Sequence, residues 1–244
     1  MQDIEKKLIS EISSQMKDIT IPQEFLSEAE NIEGLLLYYS YAIKEVRTKL
    51  EILNDELAFR TKRNPIESIE SRVKKPGSII EKLKRKNFPV TVESVFDNLH
   101  DVAGVRVICS FIEDIYDVAE MFLKQDDITL IERKDYIKNP KTNGYRSLHL
   151  IVEVPIFLSD RILNMKVEVQ IRTMAMDFWA ALEHQANYKK GIEGIDELIV
   201  ELTECANTIN QLDLRMQDIY HKIKNVERNN LMAIENSKRR LAQC

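Results

Sequence analysis

The stretch KVEVQIRTMAMDFWAALEH, residues 166–184, decides the fold of this chain. Its first half alternates between apolar and polar residues, which predicts a β-strand with two unlike faces. The apolar face carries Val167, Val169 and Ile171. The opposite face carries Glu168, Gln170 and Arg172. From about Met174 the period becomes helical, so the stretch predicts a strand that leads directly into a helix.

The rest of the chain continues this alternation of strands and helices. Strands are predicted at 104–111, 128–136, 147–156 and 165–172, with helices at 78–86, 112–125 and 174–190. The two ends favour long helices, at 3–17, about 24–60 and 195–241. Residues 62–77 contain two prolines and are expected to be irregular, and Ser78 is the expected cap of the next helix. This order indicates an α/β (α+β) layer structure with long N- and C-terminal helices.

Composition and charge fit a helix-rich protein with one core or two small ones. The chain has 244 residues, of which 44% are hydrophobic and 31% charged, and its net charge of −5 provides no overall positive field for nucleic acid. DNA is therefore not an expected partner. The three cysteines lie far apart, which disfavours a disulfide framework or a zinc site. Without a signal-like start or an apolar run near the roughly 20 residues that span a bilayer, we expect a cytoplasmic location and no membrane contact.

One basic segment, residues 60–86, stands out against this acidic background, with ten Lys and Arg against three Glu. In the helix predicted there, Ser78, Lys82 and Arg85 share one face. A hydroxyl and several cations at the start of a helix suit a polyphosphate. An ordinary solvated face is the alternative, and it is the commoner reading of a charge run alone. The cations just upstream are Arg72, Lys74 and Lys75.

Two carboxylates predict a magnesium site. Asp101 comes just before the 104–111 strand, and Glu168 lies on the polar face of the 165–172 strand. If these strands are neighbours, both carboxylates can share a Mg²⁺ ion, which prefers oxygen ligands. A turn aspartate and a solvent-facing strand are the alternatives.

The segment NPKTNGYRSLHL, residues 139–150, predicts an aromatic contact for a nucleobase. Asn143 and Gly144 mark a turn, which places Tyr145 at the start of the next strand and partly exposed. A tyrosine there can stack on a base, with Arg146 and His149 nearby for polar contacts. The alternative is a tyrosine that packs against the rim of the sheet.

Four segments occur in the order found in the RelA/SpoT synthetase family, which the chain resembles over residues 65–190. They are SRVKKPGSIIEKLKRK, DVAGVRVICSF, NGYRSLHL and VEVQIRTMAMDFWAALEHQANYK. The chain is most similar to small alarmone synthetases of the RelQ-type branch. This resemblance implies a mixed β-sheet of about five strands flanked by helices, like that of nucleotidyltransferases. It divides the chain into a synthetase core at 61–192 and helical regions at 1–60 and 193–244, and it implies a homotetramer.

The resemblance also implies a reaction and the residues that perform it. Such enzymes transfer the β,γ-pyrophosphate of ATP to the 3′-OH of GDP or GTP, giving AMP and the stringent-response alarmones ppGpp or pppGpp. Glu168 would accept the 3′-OH proton, Gln170 would aid orientation, and Asp101 with Glu168 would bind Mg²⁺. The implied ATP contacts are Arg72 and Arg106 on the adenine, with Lys74, Ser78, Lys82 and Arg85 on the phosphates. The implied GDP or GTP contacts are Tyr145, Arg146, His149 and Asp177.

Some positions depart from the family pattern. Asp177 stands where related sequences can carry Asn, which bears on the preference for GDP or GTP. Ser68 and Glu70 stand where a regulatory cleft would favour an aromatic and a smaller hydroxyl residue, which argues against activation by pppGpp. Two other classes of function stay open: a nucleotide- or single-stranded-RNA-binding regulator that uses the basic segment, and an assembly scaffold built on the terminal helices.

Overall fold

The computed structural model describes residues 29–188 and 195–241, which form a five-stranded sheet with flanking helices. The strands are β1 (Ile66–Val73), β2 (Ala103–Cys109), β3 (Thr129–Asp135), β4 (Leu148–Phe157) and β5 (Ile162–Thr173). The helices are α1 (Ala29–Thr61), α2 (Pro76–Arg85), α3 (Val92–Asn98), α4 (Ile112–Leu123), α5 (Met174–Tyr188) and α6 (Ile195–Leu241). The helix predicted at 3–17 lies outside the described residues.

The sheet is mixed, in the order β1-β2-β5-β4-β3. Strands β2 and β5 are parallel, and the other neighbouring pairs are antiparallel. The prediction of a mixed sheet of about five strands flanked by helices is therefore confirmed. The condition set for the magnesium site also holds, since the strand that follows Asp101 lies directly beside the strand that carries Glu168.

The apolar core lies between one face of the sheet and helices α1 and α4. Val107, Leu150 and Val169 point into it from β2, β4 and β5 and are fully buried. From α1, Tyr39 and Leu50 pack against them with 1% and 0% of their surface exposed. Because both helices cover the same face, they leave the other face free to carry polar side chains.

The prediction that residues 62–77 are irregular is wrong, because they contain β1. Pro65 and Pro76 flank this strand rather than interrupt it. Only Ile66 is buried in it, so the strand lacks the apolar alternation that identifies strands in a sequence. It forms because its backbone pairs with β2 at the edge of the sheet, and such tertiary pairing often overrides local propensity.

The expected cap of the following helix is also wrong. Helix α2 begins at Pro76, and its N-cap is Lys75, whose side chain makes no capping hydrogen bond. Proline suits the first helical position because its ring presets the helical φ and its missing N–H has no partner there. Ser78 therefore lies inside the first turn.

Helix α6 is one continuous helix of 47 residues, where the sequence allowed one or two. Among the helices and strands, it packs most extensively against α5 and next against α4. Within the described residues, no helix has both the length and the apolar character needed to cross a membrane.

Candidate active site

The face of the sheet away from the core is polar. Register places Gly104 of β2 opposite Glu168 of β5, and Arg106 opposite Gln170, which is also opposite His149 of β4. Paired residues on neighbouring strands project to the same side of a sheet, so these side chains share one surface. The alternation predicted for residues 166–172 is confirmed, because the apolar positions of β5 are fully buried on the other side.

A cleft of about 180 Å³, partly open to solvent, lies on this face. Five residues predicted for the site line it: Arg72, Asp101, Arg106, Glu168 and Gln170. The structure thus brings together side chains from β1, β2 and β5 that are up to 98 positions apart in the sequence.

Asp101 lies at the cationic end of the cleft. Its Oδ2 accepts hydrogen bonds from Lys74 Nζ at 2.6 Å and from Lys82 Nζ at 2.7 Å. Burial favours a raised pKa for this carboxyl, but the two lysines outweigh burial and hold its pKa below the ordinary value. Its other oxygen, Oδ1, is buried and has no hydrogen-bond partner, so it remains able to accept one.

Helix α2 presents one polar and one buried face, as predicted. Ile79, Ile80 and Leu83 are at most 5% exposed. Ser78 and Arg85 are exposed on the helix that carries Lys82. Of the four residues predicted for the phosphates, two therefore already converge on Asp101, while Ser78 and Arg85 face solvent.

Glu168 lies at the centre of a hydrogen-bonded network. Its Oε1 is 3.2 Å from His149 Nδ1, and its Oε2 accepts from Gln170 Nε2 at 3.0 Å. Burial favours a raised pKa for Glu168, but the bonds from His149 and Gln170 outweigh burial and lower the pKa below its usual value. Glu168 is therefore a carboxylate at neutral pH.

Tyr145 and His149 form an aromatic cluster on the far side of Glu168. Gly144 has a φ of 87°, which permits the tight turn predicted before Tyr145. Tyr145 is half-buried, and its Oη lies 2.8 Å from His149 Nε2. Two residues that the sequence did not single out complete the cluster: Tyr136 stands edge-on to both rings, and Lys141 Nζ lies 4.6 Å from the centres of the Tyr136 and Tyr145 rings.

The predicted nucleotide contact of Arg146 is not supported by its position. Its guanidinium donates to the backbone oxygens of Gly144, at 3.0 Å, and Ala206, at 3.2 Å, and to Asn207 Oδ1 at 3.3 Å. These bonds turn the side chain toward α6. Arg146 therefore holds the loop against that helix, whereas the neighbouring Tyr145 contacts His149.

Asp177 is placed at the site, together with an arginine that received no role from the sequence. Asp177 Oδ1 lies 3.5 Å from Arg106 Nη1 and 3.3 Å from Arg172 Nη1. Arg172 is only 3% exposed and also contacts Tyr145 and Gln170. The alternation of residues 166–172 put Arg172 on the polar face, but its partners lie on three different elements and so could not be found from spacing.

Known proteins are similar to this chain in sequence and in fold. Residues 71–193 match the family described as "Region found in RelA / SpoT proteins". GTP pyrophosphokinase YwaC of Bacillus subtilis is 42% identical, over 84% of this chain and 98% of its own length. The structure of small alarmone synthetase 1 from Bacillus subtilis bound to its product pppGpp has a TM-score of 0.72 at 34% identity, covering 80% of this chain and 99% of that chain. A structure of the same synthetase bound to AMPCPP has a TM-score of 0.69 at 32% identity, with 80% and 99% covered.

The matched region contains every residue predicted for the site, from Arg72 to Asp177. With a shared five-stranded fold and a relative more than 40% identical over most of both chains, this protein belongs to the RelA/SpoT family.

Proposed function

We propose that this protein is a (p)ppGpp synthetase. It would transfer the β,γ-pyrophosphate of ATP to the 3′-OH of GDP or GTP and release AMP with ppGpp or pppGpp. The observation that carries the proposal is the position of Glu168 on β5, the strand between the cationic β1–β2 side and the aromatic β4 side of one polar face. A donor nucleotide and an acceptor nucleotide can then meet at one carboxylate.

The donor side suits ATP. Arg72 and Arg106 line the cleft from neighbouring strands, and flat guanidinium groups stack well on an adenine ring. Lys74, Lys82, Ser78 and Arg85 would contact the phosphates, as the family resemblance implies. The relative with AMPCPP, an ATP analogue, supports this assignment.

The acceptor side suits a guanine nucleotide. Tyr145 offers a ring for base stacking, and His149 lies between that ring and Glu168. Asp177 lies at the edge of the same cluster, where it forms an ion pair with Arg172. The relative bound to pppGpp supports a guanine nucleotide here.

The chemistry asks for alignment and charge stabilisation more than for covalent catalysis. The 3′ oxygen of the acceptor forms a bond to the β-phosphorus of ATP. The bond from that phosphorus to the α,β-bridging oxygen breaks, and its electron pair leaves with AMP. Glu168 is ionised at neutral pH and takes the hydroxyl proton.

Asp101 and Glu168 fit the predicted Mg²⁺ site. Asp101 Oδ1 is a buried oxygen without a hydrogen-bond partner, and both residues line the same cleft. Within the described residues, no cluster of three His, Cys, Asp or Glu side chains could hold a metal. Two carboxylates fit Mg²⁺ because this ion is usually completed by substrate phosphates and water. When bound, it would neutralise charge on the reacting phosphates.

The test is an assay of nucleotides by anion-exchange chromatography after incubation with ATP, Mg²⁺ and GDP or GTP. We expect equal amounts of AMP and ppGpp or pppGpp from the wild type. Glu168→Gln removes the proton acceptor and one magnesium ligand while keeping the size of the side chain. We expect its rate to fall by at least about 100-fold, in line with the usual contribution of a general base.

The matched control is Glu56→Gln, the same change at an exposed position of α1, which should keep the wild-type rate. Synthesis at the wild-type rate by Glu168→Gln would remove Glu168 from this role. A wild type that binds both nucleotides but releases no AMP would favour the non-catalytic regulator.

Assembly and location belong to the same proposal. We expect a homotetramer in the cytoplasm, built through the terminal helices as in the RelQ-type branch. A contribution of the basic segment to RNA binding stays a prediction. Two of its lysines, Lys74 and Lys82, are already paired with Asp101, which leaves less free positive charge for a phosphate backbone.

A further inference from the structure

Arg172 is a charged side chain in a buried position of the polar face, 3% exposed. One nitrogen, Nη2, donates to Tyr145 Oη at 3.0 Å and to Gln170 Oε1 at 2.6 Å. The other, Nη1, lies 3.3 Å from Asp177 Oδ1. Its partners therefore come from the turn before β4, from β5 and from α5.

Arginine is a donor only, and this restricts every group that it contacts. Gln170 has to present its carbonyl oxygen to Arg172, so its amide nitrogen is directed to Glu168 Oε2, 3.0 Å away. The Tyr145 oxygen accepts from Arg172, so its own proton is available for His149 Nε2 at 2.8 Å. A neutral His149 that accepts at Nε2 carries its proton on Nδ1, which faces Glu168 Oε1 at 3.2 Å.

Each oxygen of Glu168 thus faces a hydrogen-bond donor, and the guanidinium of Arg172 determines the orientation of both donors. We propose that Arg172 is a positioning residue that sets the direction of the hydrogen bonds around Glu168, through Gln170 on one side and through Tyr145 and His149 on the other. Without it, Gln170 can turn its oxygen toward the carboxylate and His149 can adopt the other tautomer. Because Glu168 is the group that the proposed reaction places at the acceptor hydroxyl, this inference rests on the proposed function.

Lysine and glutamine separate this role from simple packing. Lysine is also a donor only, and one nitrogen of Arg172 serves both Tyr145 and Gln170, so a single ammonium group can replace it there. Glutamine can donate or accept and imposes no direction. Arg172→Lys should therefore keep the arrangement that Arg172→Gln loses.

The first measurement is the tautomer of His149, read by NMR from the ring nitrogens of the full chain labelled with ¹⁵N-histidine, without nucleotide or metal. His149→Gln identifies its signals among the four histidines. We expect the proton on Nδ1 in the wild type and in Arg172→Lys, and a mixture of tautomers in Arg172→Gln. The control Arg133→Gln, at an exposed ion pair on β3, should match the wild type.

The second measurement is the rate of synthesis. We expect kcat to fall about tenfold in Arg172→Gln, the effect of losing about one charge-assisted hydrogen bond, and less than about threefold in Arg172→Lys. The KM for ATP should stay within about twofold. The hydrogen bonds of Arg172 go to Tyr145, Gln170 and Asp177, and none of these three residues is assigned to ATP. A structural role would instead lower the thermal stability of the lysine and glutamine variants alike, without this order of rates.

If Arg172→Gln does not fold, Tyr145→Phe tests the same step, because it removes the hydroxyl through which Arg172 acts on His149. We then expect a mixture of the two His149 tautomers. A tautomer unchanged in Arg172→Gln, or in Tyr145→Phe, would overturn the inference. A wild type that makes no alarmone but shows the Arg172-dependent tautomer would overturn the proposed function and keep the positioning role. A wild type that makes alarmone, with a His149 tautomer that does not depend on Arg172, would keep the proposed function and overturn the positioning role.

Discussion

Two carboxylates, one half-buried and one buried, show how the partners of a residue decide its pKa. Burial alone favours the neutral acid for both Glu168 and Asp213. Glu168 has hydrogen bonds from His149 and Gln170, and its pKa is lowered. Asp213 accepts one hydrogen bond, from Thr173 Oγ1 at 2.6 Å, and burial raises its pKa. The first carboxylate is held in its charged form, while the second destabilises the fold when it ionises.

Asp213→Asn should therefore stabilise the protein at pH 7, because an amide can accept the same bond from Thr173 without a buried charge. The pKa of Asp213 in the folded state lies above the unfolded value of 3.8. Its stabilising contribution to the folded state is therefore fully present below pH 3.8 and is lost as the pH rises through the folded-state pKa. We expect the variant to melt about 2 °C higher at pH 7 and to lose this advantage near pH 4. Circular dichroism during heating at both pH values measures it.

The control is Asp218→Asn, at an exposed position of the same helix, which should change the melting temperature little. A gain for Asp213→Asn that grows as the pH falls would have the wrong sign and would contradict the assigned pKa.

At the scale of elements, helix α6 is attached to the loop that carries Tyr145. Thr203 Oγ1 donates to the backbone oxygen of Asn143, and Arg146 donates to that of Ala206. A Cβ atom added at Gly144 would lie 2.6 Å from Ala206 Cβ, closer than such atoms can approach. Hydrogen bonds and close packing therefore hold the loop that carries Tyr145 against α6.

Gly144→Ala should displace this loop, because the added methyl group meets α6 and the φ of 87° is strained for alanine. We expect affinity for GDP to fall about tenfold, which corresponds to about 1.4 kcal/mol. Trp179, the only tryptophan, has its ring centre 6.5 Å from that of Tyr145, so its fluorescence during a GDP titration reports the change.

The double variant Gly144→Ala with Ala206→Gly removes the collision but not the backbone strain, and should recover part of the affinity. GDP binding unchanged in the single variant would show that the loop tolerates movement away from α6.

The helices and strands differ in how well they could be predicted from the sequence. Strand β5 and helix α2 were predicted because their apolar positions alternate or share one helix face, and the core confirms both. Strand β1 was missed because it is an edge strand held by backbone pairing with β2. Glu168 and Gln170 were placed on the polar face because strand periodicity predicts which face a side chain takes. Asp101 was placed beside them on the condition that its strand is their neighbour, and Arg72 was assigned from the family resemblance. The hydrogen-bond partners of Arg146 and Arg172 were not predicted, since only tertiary contacts decide where a long side chain ends.

At the scale of the whole molecule, the far part of α6 is exposed on all sides from residue 221 to residue 230. An apolar stripe nevertheless runs along it at alternating spacings of three and four residues, which is the pattern of a coiled-coil seam. Isolated helices gain little stability from their own hydrogen bonds, so the stripe supports the proposal that α6 assembles with other copies of the chain. It comprises Met216, Ile219, Ile223 and Val226, each 41–58% exposed.

Placing charges in this stripe should disrupt assembly. We expect the wild type to sediment as a species heavier than the 28.5 kDa chain, and the double variant Ile219→Lys with Ile223→Lys to shift toward smaller species. Sedimentation velocity measures this. Asn225→Lys with Asn229→Lys adds the same charge on other faces of the helix and should keep the wild-type mass, whereas a loss of mass in both double variants would indicate a general charge effect.

The position of β5 has a consequence for biosynthesis. It is the last of the five described strands to leave the ribosome, yet it occupies the middle of the sheet between β2 and β4. A nascent polypeptide that stops before residue 166 has made Asp101 and the surrounding lysines, but neither Glu168 nor the strand that joins the two halves. Unfinished translation products of this message should therefore be unable to synthesise (p)ppGpp.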